Sequence, residues 1–413
     1  MARPRPFSFA PLFAGNWLAY ASYGVLLAVL PIAELGEGGG PLLATLVLGA
    51  PLLAQTVASW GWGWLGDRIG ARRSPLVVGA LLQAPLFLVF PLLGPLALFA
   101  VRIAQSALFG SVVLATTQAT EDPSASAAFR LGRLQLSQNG GMLLGVAAAF
   151  PFLVGATFRL DSPAGWALSA LLAGFAIASG LVFARAGEPV RTPPATSPSP
   201  FAPSTHPRVF ALAGATTAVS TARYVAATAI PVYLATTLGT HGFFGVSANA
   251  TEQLAIWVAV SSLANLAASP FSGRWAETVA GRRQSLLAFA LVYAVIWAAI
   301  TWVPTYPVVF AVWCMPVAVF FTVAGVREAA ELSRPNERGR AVGLLSAAFN
   351  LGGLLGGAAA GLLLAESVPV PTIFLVAALG SLASATLFIP AVLHGGGRSS
   401  PGDRDPSRPD APS

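Results

Sequence analysis

Long apolar stretches separated by short polar segments recur along the whole chain. Twelve of them hold about 20 or more residues, which is the length a helix needs to cross the hydrocarbon core of a bilayer. They cover residues 11–35, 41–65, 75–93, 96–119, 134–158, 165–185, 209–238, 251–271, 283–303, 308–329, 341–365 and 372–393. The pattern predicts an all-α membrane protein with twelve transmembrane helices.

The first apolar stretch follows Arg3 and Arg5, as the core of a secretory signal would. It is too long for such a core and carries Asn16, Tyr20 and Tyr23, so it is predicted to remain as the first span.

Arginine residues concentrate in alternate polar segments. Pairs or triplets follow stretches two, four, eight and ten, namely Arg68, Arg72 and Arg73; Arg130 and Arg133; Arg282 and Arg283; and Arg334, Arg338 and Arg340. The opposite segments carry Glu34, Glu37, Glu252 and Glu366 instead. Because cytoplasmic loops collect basic residues, both termini are predicted to lie in the cytoplasm, with the chain crossing the inner (cytoplasmic) membrane.

Residues 186–207 differ in composition from the rest of the chain. Seven prolines fall within this segment, and large apolar side chains are scarce. A continuous helix and a packed core are therefore both excluded there. We predict a six-helix half over residues 1–185, a cytoplasmic linker over 186–207, a second six-helix half over 208–394, and a disordered cytoplasmic tail over 395–413.

Composition narrows the functional classes. The chain is 55% hydrophobic and only 9% charged, with a mean hydropathy of +0.71. Its net charge of +7 comes from arginine alone, because lysine is absent. The absence of lysine excludes the lysine-containing phosphate-binding loop of many ATPases. The excess of basic residues is better explained by their role in orienting the protein in the membrane than by binding to a nucleic acid.

Metal and cofactor chemistry have little support. Cys314 is the single cysteine, which excludes an intramolecular disulfide and a cysteine zinc site. The three histidines, His206, His241 and His394, lie in separate polar segments. We expect no metal and no cofactor. No nucleophile with a base and no paired carboxylates appear either, so we do not expect an enzyme.

Two stretches show that the halves repeat one another. Residues 63–73 read GWLGDRIGARR, and residues 273–283 read GRWAETVAGRR, with the same order of glycine, acid, glycine and paired arginine. Likewise, Asn139-Gly140-Gly141 in stretch five is echoed by Asn350-Leu351-Gly352-Gly353 in stretch eleven. A duplication explains both pairs. We interpret the two charged stretches as hinge loops between spans.

The first charged stretch resembles the signature loop of the major facilitator superfamily of secondary transporters, approximately G-x-L-A-D-R-x-G-R-K. Ala71 departs from it, but Arg73 follows directly. The resemblance implies two six-helix halves related by a pseudo-two-fold axis and a cytoplasmic gate. The residues predicted to form that gate are Gly63, Asp67, Arg68, Gly70 and Arg72, with Gly273, Glu277 and Arg282 in the second half. Asp67 could act as a latch that breaks when the halves move, whereas the arginines could serve only topology.

Glycines recur at four-residue spacing in stretches five and eleven. They include Gly141 and Gly145, and Gly353, Gly357 and Gly361. Small residues at this spacing allow neighbouring helices to pack closely. We predict close helix contacts there, with flexing during gating as an alternative.

Two arginines inside apolar stretches are candidates for the binding site, since an intramembrane charge tends to face a cavity. The segment from Arg102 to Gln105 resembles the R-x-x-Q-G pattern of many proton-coupled exporters in the superfamily, although Ser106 replaces the glycine. Arg223 lies about fifteen residues into stretch seven, past the middle of the bilayer.

In the superfamily, spans one, four, seven and ten line the cavity. The resemblance therefore makes the following residues substrate-binding candidates: Asn16, Tyr20, Tyr23, Arg102, Gln105, Arg223, Tyr224 and Tyr233. Each tyrosine could equally pack or anchor a helix at the membrane interface.

No aspartate or glutamate lies near the middle of a predicted span. Glu34, at the outer rim, and Arg102 are the candidates for proton coupling, if it occurs. Two intramembrane arginines without evident acidic partners could instead bind an anionic substrate. Alternatively, glutamine, tyrosine or backbone carbonyls could satisfy them.

These observations predict a secondary active transporter that works by alternating access. The favoured function is proton-coupled efflux of drug-like or amphipathic compounds, because Arg102 and Gln105 match the pattern of proton-coupled exporters. The alternatives are a facilitator or proton-linked carrier of sugars or small organic anions, and a transporter-like membrane sensor. The expected partners are a small solute, protons and the lipid bilayer; the family default is a monomer.

Overall fold

The computed structural model describes residues 9–36, 40–121, 127–153, 159–187, 207–235, 241–243, 246–334 and 337–393. Residues 188–206 of the predicted linker and the predicted tail 395–413 lie outside this part. The first half contains α1 (Phe9–Gly36), α2 (Gly40–Ile69), α3 (Arg73–Leu81), α4 (Gln83–Leu88), α5 (Pro95–Phe109), α6 (Val113–Glu121), α7 (Ala127–Leu153) and α8 (Pro163–Phe183). The second half contains α9 (Pro207–Tyr233), α10 (Ala250–Trp275), α11 (Val279–Trp302), α12 (Tyr306–Trp313), α13 (Val317–Leu332), α14 (Arg338–Ala365) and α15 (Val370–Leu393).

The helical membrane fold predicted from the apolar stretches is confirmed. Within the described residues, ten helical segments are long and apolar enough to cross a bilayer. Two more long helices, α2 with 30 residues and α9 with 27, occupy the predicted stretches two and seven. The antiparallel hairpin of β1 (His241–Phe243) and β2 (Val246–Ala248), between α9 and α10, was not predicted.

Three of the predicted spans are interrupted rather than continuous. Stretch three divides into α3, α4 and a 3₁₀ turn at Phe90–Leu92, and stretch four divides into α5 and α6 around a 3₁₀ turn at Gly110–Val112. In stretch ten the first helix, α12, ends at Trp313, three residues before Pro316. Proline lacks the backbone N–H that would continue the helix. The breaks in stretches four and ten both fall beside the central cavity described below.

Glycines allow the closest helix contacts, as their spacing predicted. A β-carbon added at Gly145 of α7 would lie 1.9 Å from the carbonyl oxygen of Ala21 in α1, and one at Gly141 would lie 2.2 Å from the carbonyl oxygen of Trp17. In α14 the glycines form two stripes. Gly352 and Gly356 face α9, whereas Gly353 and Gly357 face α2.

The two charged stretches are not hinge loops, and this part of the sequence interpretation is wrong. Helix α2 continues through Gly63 to Ile69, so only residues 70–72 separate it from α3. Only residues 276–278 separate α10 from α11. The residues between Gly63 and Gly70 continue helix α2. The tight turn needs glycine only at Gly70, whose φ of 68° is in the left-handed region.

Candidate functional site

A central cavity of about 360 Å³ lies between the two halves. Its described walls come from α1, α2, α5 to α7, α9, α10 and α12 to α14. Stretches two, five, eight and eleven therefore line it together with stretches one, four, seven and ten. The expectation from the superfamily included only the second set. None of the described lining residues belongs to stretches three, six, nine or twelve.

Arg223 of α9 supplies the cavity with its charge. It lies deep in the bundle but keeps part of its surface accessible, because it lines the cavity. Its guanidinium carbon lies 5.2 Å from the ring centroid of Tyr224, 5.6 Å from that of Phe349 and 5.8 Å from that of Tyr293. The guanidinium is also close enough to Tyr293 to interact with it electrostatically. Among the described lining residues, Arg223 is the only charged one.

Aromatic rings from the first half form another part of the wall. The centroids of Tyr20 and Tyr23 each lie 5.2 Å from the centroid of Phe109, and Tyr23 stacks on that ring. Tyr20, Tyr23, Arg223 and Tyr224 are thus the predicted binding residues that the fold brings to one cavity.

The cavity also has neutral polar groups that the sequence analysis did not identify as site residues. The amides among them are Gln55, Gln135, Gln138, Asn139, Asn265 and Asn350. Asn139 and Asn350 occupy the repeated positions of stretches five and eleven, where only the neighbouring glycines were interpreted. An amide inside an apolar span is itself a signal of a polar cavity, so this group could have been found from the sequence.

The structure places Arg102 outside the cavity lining. Only 2% of its surface is exposed. Its Nη1 donates to Oε1 of Gln105, and Nε2 of Gln105 donates to Oε1 of Gln83 at 2.6 Å. The guanidinium is close enough to Tyr23 to interact with it electrostatically. Arg102 and Gln105 thus form a buried polar chain between α4 and α5, near the wall that contains Tyr23.

Two other candidates, Asn16 and Tyr233, also make internal contacts rather than lining the cavity. Nδ2 of Asn16 donates to Oγ of Ser137 at 2.6 Å, which joins α1 to α7. The Tyr233 hydroxyl donates to the carbonyl oxygen of Pro304 at 2.8 Å. The side chain of Glu34, a proton-coupling candidate, lies outside the part that the structure describes.

The halves meet at the end of the bundle where the arginines of the polar segments lie; we call this the arginine end. Here Asp67 pairs with Nη2 of Arg72, and Nη1 of Arg72 donates to the carbonyl oxygen of Gly63 at 3.2 Å. Asp67 abuts the start of α14 in the other half, because a β-carbon at Gly339 would lie 2.6 Å from its Oδ1. A β-carbon at Gly63 would lie 2.8 Å from the carbonyl oxygen of Gly339.

A second contact at the arginine end joins α7 to α10. A β-carbon at Gly273 would lie 2.9 Å from the carbonyl oxygen of Ala128, and one at Gly132 would lie 2.8 Å from that of Ser269. Gly63 and Gly273, the first glycines of the repeated stretches, therefore each contact the opposite half. The sequence identified the repeat, and only the fold shows that it crosses between halves.

The repeated charges differ in their contacts. Arg282 forms ion pairs with Glu328, at 2.8 Å, and Glu331, both in α13 of its own half. The side chain of Glu277, which corresponds to Asp67 in sequence, is exposed. Arg68 is also exposed and lies over the ring of Trp64 at 5.2 Å. Only the first stretch thus places its acid against the opposite half.

The described residues contain no group of three or more His, Cys, Asp or Glu side chains that could hold a metal ion. The chemistry available at the cavity is therefore that of one guanidinium, several aromatic rings and neutral amides and hydroxyls. Such a site can hold and orient a solute.

Residues 212–411 match the family model of the Major Facilitator Superfamily. The matched residues make up just under half of the chain. Together with the apolar helices, this match supports a multi-pass membrane protein. Members of the superfamily are carriers rather than enzymes.

One curated relative is the staphyloferrin B transporter of Staphylococcus aureus (strain NCTC 8325 / PS 47). The two are 35% identical over 147 residues, which are 33% of this chain and 34% of that protein. The match thus spans about a third of the relative's length.

Solved structures of the superfamily share the fold at low identity. The human organic anion transporter MFSD10 (TETRAN) gives a TM-score of 0.72 at 15% identity, over 92% of this chain and 98% of that one. The proton:xylose symporter XylE gives 0.70 at 12%, over 93% and 95%. The E. coli fucose:proton symporter FucP gives 0.64 at 14%, over 92% and 97%. These similarities show the fold alone.

Proposed function

We propose that this protein is a secondary active transporter that carries small organic anions by alternating access, with Arg223 as the anion-binding group. The observation that carries the proposal is the charge of the cavity. Arg223 is its only charged side chain among the described lining residues, and no carboxylate is present there to neutralise it.

The chemistry of the cavity fits an anion with an apolar body. A guanidinium offers a planar set of donors that matches a carboxylate or sulfonate. Tyr20, Tyr23, Phe109, Tyr224 and Phe349 can pack on an aromatic or aliphatic body. The volume of about 360 Å³ is within the range of sites for small organic ligands, about 300–1,000 Å³.

One similar protein agrees with this choice of substrate class, namely the human organic anion transporter, which shares the fold. The staphyloferrin B transporter shares 35% identity over part of the chain. The sugar symporters also share the fold, with TM-scores of 0.70 and 0.64. Fold similarity alone therefore leaves sugars open, and the guanidinium in the cavity favours anions.

Alternating access needs a contact between the halves that can form and break. The contacts of α2 with α14 and of α7 with α10 at the arginine end provide such a gate. Asp67 contributes by placing a negative charge at the N-terminus of α14, where the helix dipole is positive. The halves, residues 1–185 and 208–394, would move as two bodies that share this gate.

Proton-coupled efflux of drug-like compounds is the second candidate, because the buried Arg102 and Gln105 pair matches the exporter pattern. Its discriminating test is transport of neutral lipophilic compounds driven by a pH gradient. Flux of such compounds, with no flux of anions, would favour efflux.

Arg223→Gln is expected to weaken anion binding at least tenfold, because it removes a charge-assisted hydrogen bond that contributes about 1.5–3 kcal/mol. The measurement is the concentration dependence of thermal stabilisation of the purified protein by benzenesulfonate and other organic anions. A sulfonate remains charged across the usable pH range. Arg223→Lys should retain part of the affinity.

Arg102→Gln is the matched control, since it makes the same change to an arginine outside the cavity lining. It is expected to alter benzenesulfonate affinity less than threefold, although it can lower stability. Equal anion affinity in wild type and Arg223→Gln would contradict the proposal. Stabilisation by sugars alone would support a sugar carrier instead.

We further propose that the arginine end faces the cytoplasm, as the placement of basic residues favours. Arg68→Cys, at an exposed position and in a Cys314→Ser background, should react with a membrane-impermeant maleimide only after the inner membrane is opened. Labelling in intact spheroplasts would place that end, and both termini, on the outside.

A further inference from the structure

The cavity has an unbalanced charge. The guanidinium carbon of Arg223 lies within 5.8 Å of the centroids of three aromatic rings, all of them neutral groups. The other described lining residues are apolar side chains, amides, hydroxyls and an indole. The described lining therefore carries one positive charge.

Acidic side chains elsewhere have other contacts. Asp67 pairs with Arg72, and Glu328 and Glu331 pair with Arg282, all at the arginine end. Glu252 caps the start of α10 through the backbone N–H of Asn249, at 2.8 Å. None of these acids belongs to the described lining of the cavity. Among the described residues, no carboxylate thus lies beside Arg223 to neutralise it.

Alternating access passes through a state in which the site is closed at both ends and loses contact with bulk water. A buried charge without a partner is strongly disfavoured in such a state. Aromatic rings recover only part of the lost hydration. A bound monoanion pairs with the guanidinium and makes the site neutral, so closure is far easier when the site is loaded.

We propose that this protein is an obligate anion exchanger: the loaded carrier crosses between its two states readily, and the empty carrier does not. The counter-substrate is then a second small anion on the opposite side of the membrane. This inference rests on the proposed function, because it takes Arg223 as the anion-binding group. It adds the coupling mode, which is one anion for one anion.

One-for-one exchange of monoanions has an electrical signature. No net charge crosses the membrane, so a membrane potential does not change the rate. A uniporter of the same anion would move charge and respond to the potential. A proton-coupled carrier would respond to a pH gradient even when the transported sulfonate does not titrate.

The test is uptake of radiolabelled benzenesulfonate into proteoliposomes that contain the full chain. One set is loaded with unlabelled benzenesulfonate. The other contains potassium dextran sulfate, a polyanion too large for a cavity of about 360 Å³. Valinomycin and potassium clamp the membrane potential. Uptake into the benzenesulfonate-loaded set should be at least tenfold faster and should not change with the imposed potential.

Arg223→Lys separates charge from shape. It keeps the cation, so the ratio of exchange to net uptake should remain at least tenfold while the KM for benzenesulfonate rises. Arg223→Gln should lose both kinds of uptake.

The outcomes distinguish the two proposals. Equal rates in the two wild-type sets, with Arg223-dependent binding, would overturn obligate exchange and leave the anion site in place. Net uptake that changes with the membrane potential would also overturn obligate exchange and would indicate a uniporter. Net uptake that changes with a pH gradient would overturn it as well and would indicate proton coupling. Absence of Arg223-dependent binding would overturn the anion site and the exchange inference together.

Discussion

Replacing Gly145 by valine is expected to prevent stable folding of the first half. A β-carbon at this position would lie 1.9 Å from the carbonyl oxygen of Ala21 and 2.7 Å from its carbonyl carbon. Both are backbone atoms of α1, so no side chain can rotate away, and the two helices would have to separate. Overpacking a core costs about 1–3 kcal/mol, and a backbone clash that separates helices should exceed that range. The measurement is the yield of monodisperse protein in detergent, together with its unfolding temperature.

Gly174→Val provides the control, because it makes the same substitution in another long helix, where no atom lies within 4 Å of the added β-carbon. That variant should resemble the wild type. Normal yield and unfolding temperature for Gly145→Val would mean that α1 and α7 are not packed as closely as described.

Replacing Gly339 by leucine is expected to lower transport at least tenfold while leaving the fold and anion binding largely intact. The side chain would enter the space of the Asp67 carboxylate and of Nη2 of Arg72, at 2.6 and 2.9 Å from the added β-carbon. These groups belong to the opposite half, so the substitution opposes closure of the arginine end rather than folding of either half. The measurement is benzenesulfonate exchange in proteoliposomes, compared with thermal stabilisation by the same anion.

Gly61→Leu is the matched control, since Gly61 lies in α2 close to the gate and its added β-carbon meets no atom within 4 Å. It should retain exchange within about twofold of the wild type, because nothing opposes the new side chain. A full exchange rate in Gly339→Leu would show that the contact of α2 with α14 is not needed for the transport cycle.

Most of the helical architecture could be predicted from the sequence. The positions of the apolar stretches agree with the observed helices, although helix ends differ by several residues. For example, α7 begins at Ala127, while its stretch was predicted from residue 134. Arg130 and Arg133 interrupt the apolar pattern there but not the helix, because arginine is a good helix former.

The candidate site was predicted only in part. Arg102 and Arg223 are equivalent in sequence terms, as single arginines inside apolar stretches. In the fold, Gln105 and Gln83 enclose Arg102, whereas Arg223 faces the cavity among Tyr224, Tyr293 and Phe349. These aromatic residues come from three helices, and no spacing along the chain brings them together.

The role of the repeated glycines also depended on the fold. Their order identified the signature and the duplication, but their position in loops was wrong. Gly63 and Gly273 are helical residues at contacts between the halves, and only Gly70 makes a turn. A glycine that turns the chain and one that admits another helix have the same sequence signal.

The sequence by itself determined that this protein crosses the membrane many times, that its halves repeat and that it resembles the major facilitator superfamily. These properties depend on local hydrophobicity and on short motifs. A helix of about 20 apolar residues is stable across the bilayer by itself, because it satisfies its own backbone hydrogen bonds and buries its side chains in lipid. Only the tertiary structure decided which arginine faces the cavity, which amides line it and which glycines form the gate. Those properties depend on which face of each helix meets helices distant in the chain.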